Sequence, residues 1–592
     1  MDQSETRACQ NCKSDFVIEP EDFDFYKKID VPPPTWCPEC RMKRRMLFRN
    51  EFNMHKCVCA LCGKETISHY PDKVEFPIYC NECWWSDKWD PMDYGREYDP
   101  SKNFFTQWKE LSDAVPRPNL EAYQNENSPY SDYTWFSKNV YLSPSTLDSD
   151  TVSYSKGTWS CRDTFDSMVI LNSENVYEAL DSERCVNCKF ISDCKDCLKS
   201  SYLFDCRNSS DCFMSSNLRN KRFFFRNKQL TEEEYHKSIG AMDKDYKTQR
   251  ELYSEYIRLR ESALHKYANT VKCTNSSGNN LSNCKNSIHC FNCANCENAK
   301  YGVQMNHAKD IQDMYGVGDK EASLLYDGVN VGYLDANIYF SANTFENCAR
   351  AQYCDYCRVS QDLFGCIGLR KKQYCILNKQ YNKDEYTQLQ EKIIKEMSEN
   401  PYIDSRGNVY KYGEFFPQEF SPFAYNEAMT QFYFPIKKED AISLGYRWME
   451  PETRGYRATK TADELPDSIE KTDDHILDEI IGCEHEQKCE HNCTLAFKIT
   501  SQELRFYRKM EIPIPRLCPG CRNGERNILC NPVKLWHRTC QCAGKSSENK
   551  VYTNTIQHQH GDSPCPNEFE TSYAPDRSEI VYCENCYNSE VV

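Results

Sequence analysis

Paired cysteines at both ends of the chain constrain its fold more than any other sequence feature. The N-terminal pairs are Cys9 with Cys12, Cys37 with Cys40, Cys59 with Cys62, and Cys80 with Cys83. A Cys-x2-Cys turn directs both thiolates at one metal ion, and a second turn brought close by a hairpin completes a tetrahedral shell. The pairs therefore predict two closed zinc sites within the first 95 residues.

The C-terminal end repeats this arrangement. From Cys12 and Cys493 onward the two ends align at a constant offset of 481, and 24 residues separate the inner cysteines of both copies. The second sites also match, because 17 residues separate Cys62 from Cys80 and Cys565 from Cys583. This matching indicates duplication of one folded unit. The predicted ligands of the two C-terminal sites are Cys489, Cys493, Cys518 and Cys521, and then Cys542, Cys565, Cys583 and Cys586.

One ligand of the last site is open to alternatives. An insertion, 543–564, separates Cys542 from Cys565, where the N-terminal copy has only two residues between its cysteines. The shared layout favours Cys542 as the ligand, with Cys540 as its rival. Other candidates for the same position are His537, His558 and His560. Each of the four predicted shells is closed, which is typical of structural rather than catalytic zinc.

The chain has 37 cysteines, so disulfides are the alternative to metal binding. The first ten residues are charged and lack the apolar run of a secretory signal. No window reaches the roughly 18–20 apolar residues that cross a bilayer. We therefore expect a cytoplasmic protein without a membrane partner, in which reduced thiols bind zinc. About four structural zinc ions are the expected cofactors, one for each shell.

The string Cys-x2-Cys, Phe, Phe-Tyr-x-Lys, Pro, Cys-Pro-x-Cys-Arg resembles a bacterial treble-clef family known as probable zinc ribbons. The N-terminal positions that carry it are Cys9, Cys12, Phe16, Phe25, Tyr26, Lys28, Cys37, Pro38, Cys40 and Arg41. The C-terminal positions are Cys493, Phe497, Phe506, Tyr507, Lys509, Cys518, Pro519, Cys521 and Arg522. The second copy departs at Cys489, where three residues separate the first pair. The whole layout is similar to large uncharacterised cysteine-rich proteins of candidate-phyla bacteria. The resemblance implies zinc and a cytoplasmic setting, and it implies no activity.

A second, shorter repeat fills the middle of the chain. Segment 218–235 aligns with 369–386 at an offset of 151, and 12-residue units recur at 138–197 and 285–368. Asn, Asp, Ser and Gly gather at the unit boundaries, as corners require. Short alternating runs lie between them, as strands require. The pattern predicts a duplicated parallel β-solenoid, in which each coil pairs its backbone with the next coil.

The cysteines of the middle admit two interpretations. Some have the spacing of metal ligands, namely Cys185, Cys188, Cys194, Cys197, Cys290, Cys293 and Cys296. Small, half-apolar thiols that fill a solenoid interior would also recur with its period, as Cys185 and Cys197 do. The periodicity favours the interior interpretation.

The predicted fold is therefore mainly β and multidomain, with paired zinc-ribbon or treble-clef modules flanking a duplicated solenoid and a helical insertion. The zinc ribbons are predicted at 1–50, 51–95, 481–530 and 531–592, and the solenoid halves at 138–228 and 273–380. The remaining segments are a connection at 96–137, the helical insertion at 229–272, and a helix- and loop-rich linker at 381–480.

Charge and motifs bound the function. The net charge of −16 opposes attraction of the whole chain to nucleic acid. Two basic clusters, either nucleic-acid contacts or solvated helix faces, are Arg41, Lys43, Arg44, Arg45 and Arg49, and then Arg505, Arg508, Lys509, Arg516 and Arg522. Three tryptophans, which suit either a protein interface or packing against a zinc site, are Trp84, Trp85 and Trp89. The sequence contains no Gly-x-Ser-x-Gly, P-loop, Rossmann or His-Glu-x-x-His motif.

We therefore expect a non-enzymatic multi-zinc scaffold whose modules present surfaces to a protein or nucleic-acid partner. The alternative hypothesis is an enzyme that acts on a polymer along the solenoid face. Solenoids host such enzymes elsewhere, and that likeness concerns the fold alone.

Overall fold

The computed structural model describes residues 4–242, 244–317, 321–329, 332, 334–342, 347–450, 457–543 and 554–592. Within these ranges the chain is mainly β, with twelve α-helices and large, mostly parallel sheets. None of those helices is long and apolar enough to cross a membrane. The residues that form each element follow in chain order, and the predicted ribbons are called modules 1 to 4.

Modules 1 and 2 each contain a β-hairpin followed by a helix. Their elements are β1 (Glu5–Ala8), β2 (Asp15–Ile18), α1 (Pro20–Lys28), α2 (Pro38–Met46), β3 (His55–Val58), β4 (Glu65–Ser68), β5 (Ile78–Tyr79) and α3 (Asn81–Trp84). Helix α4 (Phe104–Ala114) and strand β6 (Arg117–Pro118) follow them. β6 pairs in parallel with β5.

The first repeat sheet has 14 strands. They are β7 (Ala122–Tyr123), β8 (Thr134–Trp135), β9 (Lys138–Tyr141), β10 (Thr146–Leu147), β11 (Asp150–Ser153), β12 (Lys156–Trp159), β13 (Arg162–Phe165), β14 (Met168–Leu171), β15 (Glu174–Glu183), β16 (Val186–Ser192), β17 (Ser201–Phe204), β18 (Phe213–Ser216), β19 (Phe224–Phe225) and β20 (Lys228–Gln229). Helices α5 (Glu232–Gly240) and α6 (Tyr246–Ser262) and strand β21 (Leu264–Lys266) come next.

The second repeat sheet has 12 strands. They are β22 (Thr270–Val271), β23 (Gly278–Ser282), β24 (Cys290–Ala294), β25 (Glu297–Lys300), β26 (Val303–Met305), β27 (Ala308–Val317), β28 (Ala322–Val329), β29 (Ala336–Tyr339), β30 (Ala349–Gln352), β31 (Gln361–Phe364), β32 (Gln373–Ile376) and β33 (Lys379–Gln380).

The remainder of the chain ends in modules 3 and 4. Its elements are α7 (Lys383–Glu399), β34 (Tyr402–Ile403), β35 (Val409–Tyr410), α8 (Met429–Tyr433), α9 (Lys438–Ser443), β36 (Ile481–Gly482), β37 (Ala496–Phe497), α10 (Ser501–Met510), α11 (Pro519–Ile528), β38 (Trp536–Thr539), β39 (Glu568–Thr571), β40 (Ile580–Tyr582) and α12 (Glu584–Val591). The hairpin-then-helix order of modules 1 and 2 recurs here, as the duplication predicts.

These elements divide between two compact units. Unit 1 comprises Met1–Leu120, Ala268–Glu450 and Val533–Leu535, and unit 2 comprises Glu121–Tyr267, Pro451–Pro532 and Trp536–Val592. Unit 1 therefore joins modules 1 and 2 to the second repeat sheet, and unit 2 joins most of modules 3 and 4 to the first. Each module pair thus shares a unit with the sheet that is not its neighbour in the sequence.

Most strands of each repeat sheet pair in parallel at a 12-residue register, and the last strand of each sheet pairs antiparallel. In the first sheet, Thr146 pairs with both Thr134 and Thr158. The ladder already begins at Ala122, inside the segment assigned from sequence as a connection. In the second sheet the register is wider over three successive steps, where Ala308 pairs with Ala322, Ser323 with Ala336, and Ala336 with Ala349.

The backbone turns more often than the sequence pattern suggested. Every third residue from Tyr133 to Arg226 has a positive φ, Gly157 included, so four such residues fall in each 12-residue repeat. Asn and Asp occupy many of these positions, because they tolerate the left-handed conformation best among non-glycine residues. The sequence predicts turns only at the repeat boundaries, because large residues such as Val169 and Phe190 occupy other left-handed positions.

Buried serines and cysteines form columns that run from strand to strand across the repeat sheets. Ser149, Cys161, Ser173 and Cys185 follow one another at 12-residue steps. The Ser149 hydroxyl donates to the Leu147 carbonyl at 2.8 Å, and the Cys185 thiol points at the Glu183 carbonyl at 3.5 Å, two residues back in both cases. Cysteine and serine therefore alternate at one buried position, where each donates to the carbonyl two residues back. This supports the interpretation that the middle cysteines are interior residues.

Candidate metal centres

The first half of each N-terminal site is a tight turn at the end of a hairpin. The Cys9 N–H donates to the Ser14 carbonyl at 2.9 Å, and the Cys59 N–H donates to the Lys64 carbonyl at 2.9 Å. The turns close through residues with positive φ, Lys13 at 64° and Gly63 at 74°. Both cysteines of each turn therefore face the same side of the hairpin.

The second half of each site is the start of a helix. Cys37 is the N-cap of α2 and Cys80 is the N-cap of α3. The Cys37 N–H donates to the Cys9 Sγ at 3.2 Å, and the Cys80 N–H donates to the Cys59 Sγ at 3.3 Å. A helix N-terminus favours thiolates through its dipole and its free N–H groups. Pro38 at the first turn of α2 has no N–H to leave unsatisfied.

Both N-terminal sites bring together the residues that the sequence predicts. Ligand atoms within 4.8 Å of one another form the groups Cys9, Cys12, Cys37, Cys40 and Cys59, Cys62, Cys80, Cys83. The Sγ atoms of Cys12 and Cys37 are 3.8 Å apart, and those of Cys62 and Cys80 are 3.9 Å apart. Zn–S bonds of about 2.3 Å in a tetrahedron require an S–S edge of about 3.8 Å. The geometry fits a zinc-sized ion.

Module 3 contains a candidate ligand that the sequence pattern does not single out. Its group consists of Cys483, Cys493, Cys518 and Cys521. Cys483 follows β36 and accepts the Cys518 N–H at 3.3 Å, as Cys9 accepts from Cys37. The structure thus places Cys483, rather than the predicted Cys489, in the position of Cys9.

The spacing of the first pair concealed this exchange. Cys489 lies in the loop between Cys483 and Cys493, with its Sγ 3.6 Å from that of Cys521. The loop between Cys483 and Cys493 is longer than the one between Cys9 and Cys12, and it places Cys489 close to the Cys-x2-Cys spacing. Gly482, the last residue of β36, pairs with Ala496. Cys483 therefore comes directly after a hairpin strand, as Cys9 comes directly after β1.

Module 4 differs from its prediction in a similar way. Its all-cysteine group is Cys540, Cys565, Cys583 and Cys586. Cys540 directly follows β38 and accepts the Cys583 N–H at 3.1 Å, so it takes the position assigned to Cys542. Cys565 and Cys583 have Sγ atoms 3.9 Å apart, and the duplication survives this shift.

The other candidates near module 4 separate into two kinds. His537 lies on β38, where its ring contacts Glu568 and Glu570 and its side chain is 61% exposed. Cys542, His558, His560 and Cys586 form a further group of ligand atoms within 4.8 Å. Part of the insertion that carries the histidines, 544–553, lies outside the described residues.

One thiol in each all-cysteine group is prepared for ionisation. The neighbouring thiols Cys37 and Cys483 lower the pKa of Cys9 and Cys518, respectively. Cys540 lowers the pKa of Cys583 to about 4. Burial opposes ionisation of Cys59, yet N–H donors of Cys80 and Cys62 lower its pKa to about 6. Thiolate is the form that binds a metal ion.

Helix α2, which begins at the first site, places its arginines against acidic residues of unit 1. Arg41 meets Asp313 at 2.8 Å, and Arg45 meets Asp327 at 2.8 Å. Arg44 meets both Asp327 and Glu414 at 2.8 Å. These arginine side chains are at most 2% exposed. The N-terminal basic run is therefore neither a solvated helix face nor a surface for phosphates, with the exception of Lys43, which pairs with Glu39.

Unit 2 contains the same contact. Arg522 and Arg526, which align with Arg41 and Arg45, meet Asp166 at 3.0 and 3.1 Å. Arg526 also meets Glu178 at 3.0 Å. All the sheet carboxylates of both contacts belong to positive-φ residues at neighbouring repeats. The two units thus dock their helices in the same way, which the sequence analysis did not foresee because the contact joins distant segments.

Trp84 and Trp89 pack within unit 1, and Trp85 lies beside them at 38% exposure. The Arg370 guanidinium lies 4.9 Å from the Trp84 ring centroid, 4.8 Å from that of Trp85 and 5.5 Å from that of Trp89. Trp84 is 2% exposed. In unit 2 the residue aligned with Trp84 is Tyr587, whose hydroxyl accepts from Arg219 at 2.7 Å.

Comparisons with known proteins add no identity. No family model and no curated protein matches the chain. Among solved structures, one similar chain is described as a "putative acetyltransferase from Desulfovibrio desulfuricans G20". It is 9% identical, the match covers 45% of this chain and 69% of that one, and the TM-score is 0.10. A TM-score this low carries no argument about fold or activity.

Proposed function

We propose that this chain is a non-enzymatic, multi-zinc scaffold protein in which the four all-cysteine groups hold structural zinc. The groups are closed, their S–S distances suit Zn–S bonds, and each contains a thiol with a lowered pKa. We further propose that modules 1 to 4 are ribbons of the treble-clef type, and that the two repeat sheets wind as four-sided solenoids. The 12-residue parallel register and the four turns in each repeat support that winding.

One observation carries the proposal. In each unit the helix that begins at a candidate ligand, Cys37 or Cys518, ends in buried arginine–carboxylate contacts with a repeat sheet. A metal ion at that helix N-terminus would fix the direction of the helix and hence the position of its arginines. Each zinc module then acts as a bracket, by which we mean that it fixes an arginine-bearing helix against a repeat sheet.

The partner we propose is a protein, in the cytoplasm, and not nucleic acid. The net charge of −16 repels phosphate backbones, and the basic residues of α2 and α11 that align between the modules are buried. We expect no binding of the purified protein to a fluorescent 20-base RNA or DNA duplex at about 0.15 M salt. Binding that weakens steeply with salt would contradict this choice of partner.

Hydrogen exchange on full-length protein tests the bracket. Cys37→Ser should release the metal of the first site and increase exchange in α2 and in the contacted strands, β27 and β28. The strands of unit 2 that hold Asp166 and Glu178 should keep their protection, because their own module is intact. The matched control is Cys57→Ser, a cysteine of module 2 outside both N-terminal all-cysteine groups. It should leave both units as in the parent protein.

Two results would overturn the bracket. One is loss of the first metal without any change in β27 and β28. The other is equal loss of protection in both units, which would mean that Cys37→Ser acts through general unfolding rather than through its own module.

A further inference from the structure

The second ligand group of module 4 lies beside its all-cysteine group and shares one cysteine with it. The Cys542 Sγ is 2.9 Å from the His558 Nδ1 and 3.4 Å from the His560 Nε2. The His560 Nε2 is also 3.4 Å from the Cys586 Sγ. Cys586 belongs to both groups. Two cysteine sulfurs and two imidazole nitrogens, all within 4.8 Å of one another, supply the four donors of a tetrahedral zinc site.

Contacts on the far side of each ring orient the imidazoles of His558 and His560 toward the group. The His558 Nε2, the nitrogen that faces away from the group, contacts the Glu590 Oε1 at 2.9 Å, and both side chains are at most 1% exposed. The His560 Nδ1 likewise contacts the Ser563 carbonyl at 2.6 Å. Histidines that ligate a metal through one nitrogen characteristically donate the other N–H to a carboxylate or carbonyl. Both histidines therefore present their remaining nitrogen to the group.

The buried cysteines also outnumber the ligands of one ion. Five cysteines meet in module 4, Cys540, Cys542, Cys565, Cys583 and Cys586, and each is at most 7% exposed. One tetrahedral Zn²⁺ takes only four of them. A second ion accounts for Cys542 and for the two histidines beside it.

The other modules show what is specific to module 4. At the position that corresponds to Cys542, module 2 has Leu61, and module 2 lacks the insertion that carries His558 and His560. The insertion therefore comes with a cysteine that faces it. A loop gained for unrelated reasons would not require Cys542, two histidines and a buried carboxylate in one place.

We propose that module 4 binds two zinc ions bridged by the Cys586 thiolate. One ion is held by Cys540, Cys565, Cys583 and Cys586, and the other by Cys542, His558, His560 and Cys586. The inference rests on the proposed all-cysteine zinc sites, because Cys586 belongs to one of them. His558 and His560, which competed in the sequence for one ligand position, instead complete a second site in module 4.

Native mass spectrometry of the full-length, zinc-loaded protein tests the count. The parent should carry five zinc ions and the His558→Ala/His560→Ala variant four. His537→Ala, which removes an exposed histidine of the same module, is the matched control and should carry five. Zinc X-ray absorption should show a metal–metal distance of about 3.5–4 Å in the parent, as expected for two ions on one bridging ligand. That distance should be missing from the double variant.

A milder variant guards against misfolding. Glu590→Gln keeps all seven ligands and weakens the support of His558, so the affinity of one zinc ion should fall about 10- to 100-fold in chelator competition. The other four ions should be released as in the parent protein.

The possible failures are distinct. Four ions in both the parent and the double variant would overturn the bridged pair and leave the all-cysteine brackets standing. Two or fewer ions in the parent would overturn the proposed function itself.

Discussion

At the scale of single residues, left-handed backbone recurs at every third position from Tyr133 to Arg226 and again from Arg350 to Gly368. Asn and Asp accept that conformation, whereas a β-branched side chain there costs roughly 1–2 kcal/mol. Val359 is such a residue, with φ at 50° and a side chain that is 48% exposed. The repeating hydrogen bonds of the sheet hold such residues in place.

Val359→Asn should therefore stabilise unit 1. The expected gain in the free energy of unfolding is about 1 kcal/mol, because the strain is relieved and little packing is lost. Urea denaturation followed by hydrogen exchange in unit 1 peptides measures it. Val58→Asn, an exposed valine on an ordinary strand of unit 1, is the control and should bring no gain. A loss of stability in Val359→Asn would show that the corner is not strained.

Glu178 gives unit 2 a specific pH dependence. Burial raises the pKa of its carboxyl group to about 7 against the stabilising charge of Arg526. The folded chain therefore binds a proton that the unfolded chain loses at lower pH. This contribution to stability is complete below the unfolded pKa and is lost as the pH rises through about 7.

Between pH 6 and 8 the stability of unit 2 should fall about 1 kcal/mol more in the parent than in Glu178→Gln. Urea denaturation at three pH values, followed in unit 2 peptides, measures the difference. Glu174→Gln replaces an exposed glutamate of the same strand, and it should keep the dependence of the parent. Parallel pH profiles for all three proteins would contradict the assignment to Glu178.

At the scale of elements, the docking of α2 and α11 depends on charges that are out of contact with water. Removing one partner from a buried ion pair typically costs 3–5 kcal/mol, because the remaining charge stays buried and unpaired. Arg45 contacts both Asp313 and Asp327, at 3.2 and 2.8 Å, so its loss affects two carboxylates. Arg526 has the matching role in unit 2.

Arg45→Met should destabilise unit 1 by about 3–5 kcal/mol and leave unit 2 unchanged. Arg526→Met should do the reverse, so each variant is the control for the other. Differential scanning calorimetry combined with hydrogen exchange distinguishes the units. If either variant affected both units equally, the contact would not be local to its unit.

The elements also show what the sequence could and could not supply. Equal spacing between Cys12 and Cys37 and between Cys493 and Cys518 was sufficient to predict two matched sites, because spacing reports local hairpins. Spacing failed at Cys489, because a longer loop brought that cysteine near the expected distance. It failed at Cys542, because Cys540 is the residue that directly follows its strand, as Cys59 follows β3. The contacts of Arg45 and Arg526 join segments far apart in the chain, and no local pattern reports them.

At the scale of the whole molecule, each unit is assembled from separated segments. Unit 1 needs Met1–Leu120 together with Ala268–Glu450, and unit 2 likewise takes segments from both halves of the sequence. Neither half of the chain therefore contains a complete unit. Buried contacts such as that of Arg45 with Asp327 have one partner in each half.

A chain divided in the exposed turn after α5 should reassemble. Fragments 1–241 and 242–592, produced together, should co-purify as one zinc-containing complex, because both units need both fragments. Size-exclusion chromatography and mass spectrometry measure this. Fragments produced separately are the control and should lack cooperative unfolding. Two fragments that each unfold cooperatively alone would contradict the division of the chain into these units.

The crossed pairing of modules and sheets has a consequence during synthesis. The module that bears Arg45 leaves the ribosome long before Asp327 does, by 282 residues. At about 5–20 residues per second this interval lasts roughly 15–55 seconds. During it, a newly made module 1 displays its uncovered arginines on a helix that has no acceptor yet. In the proposed bracket, metal bound to module 1 during this interval keeps that helix oriented until its acceptor is made, so the yield in cells should follow the supply of zinc during translation.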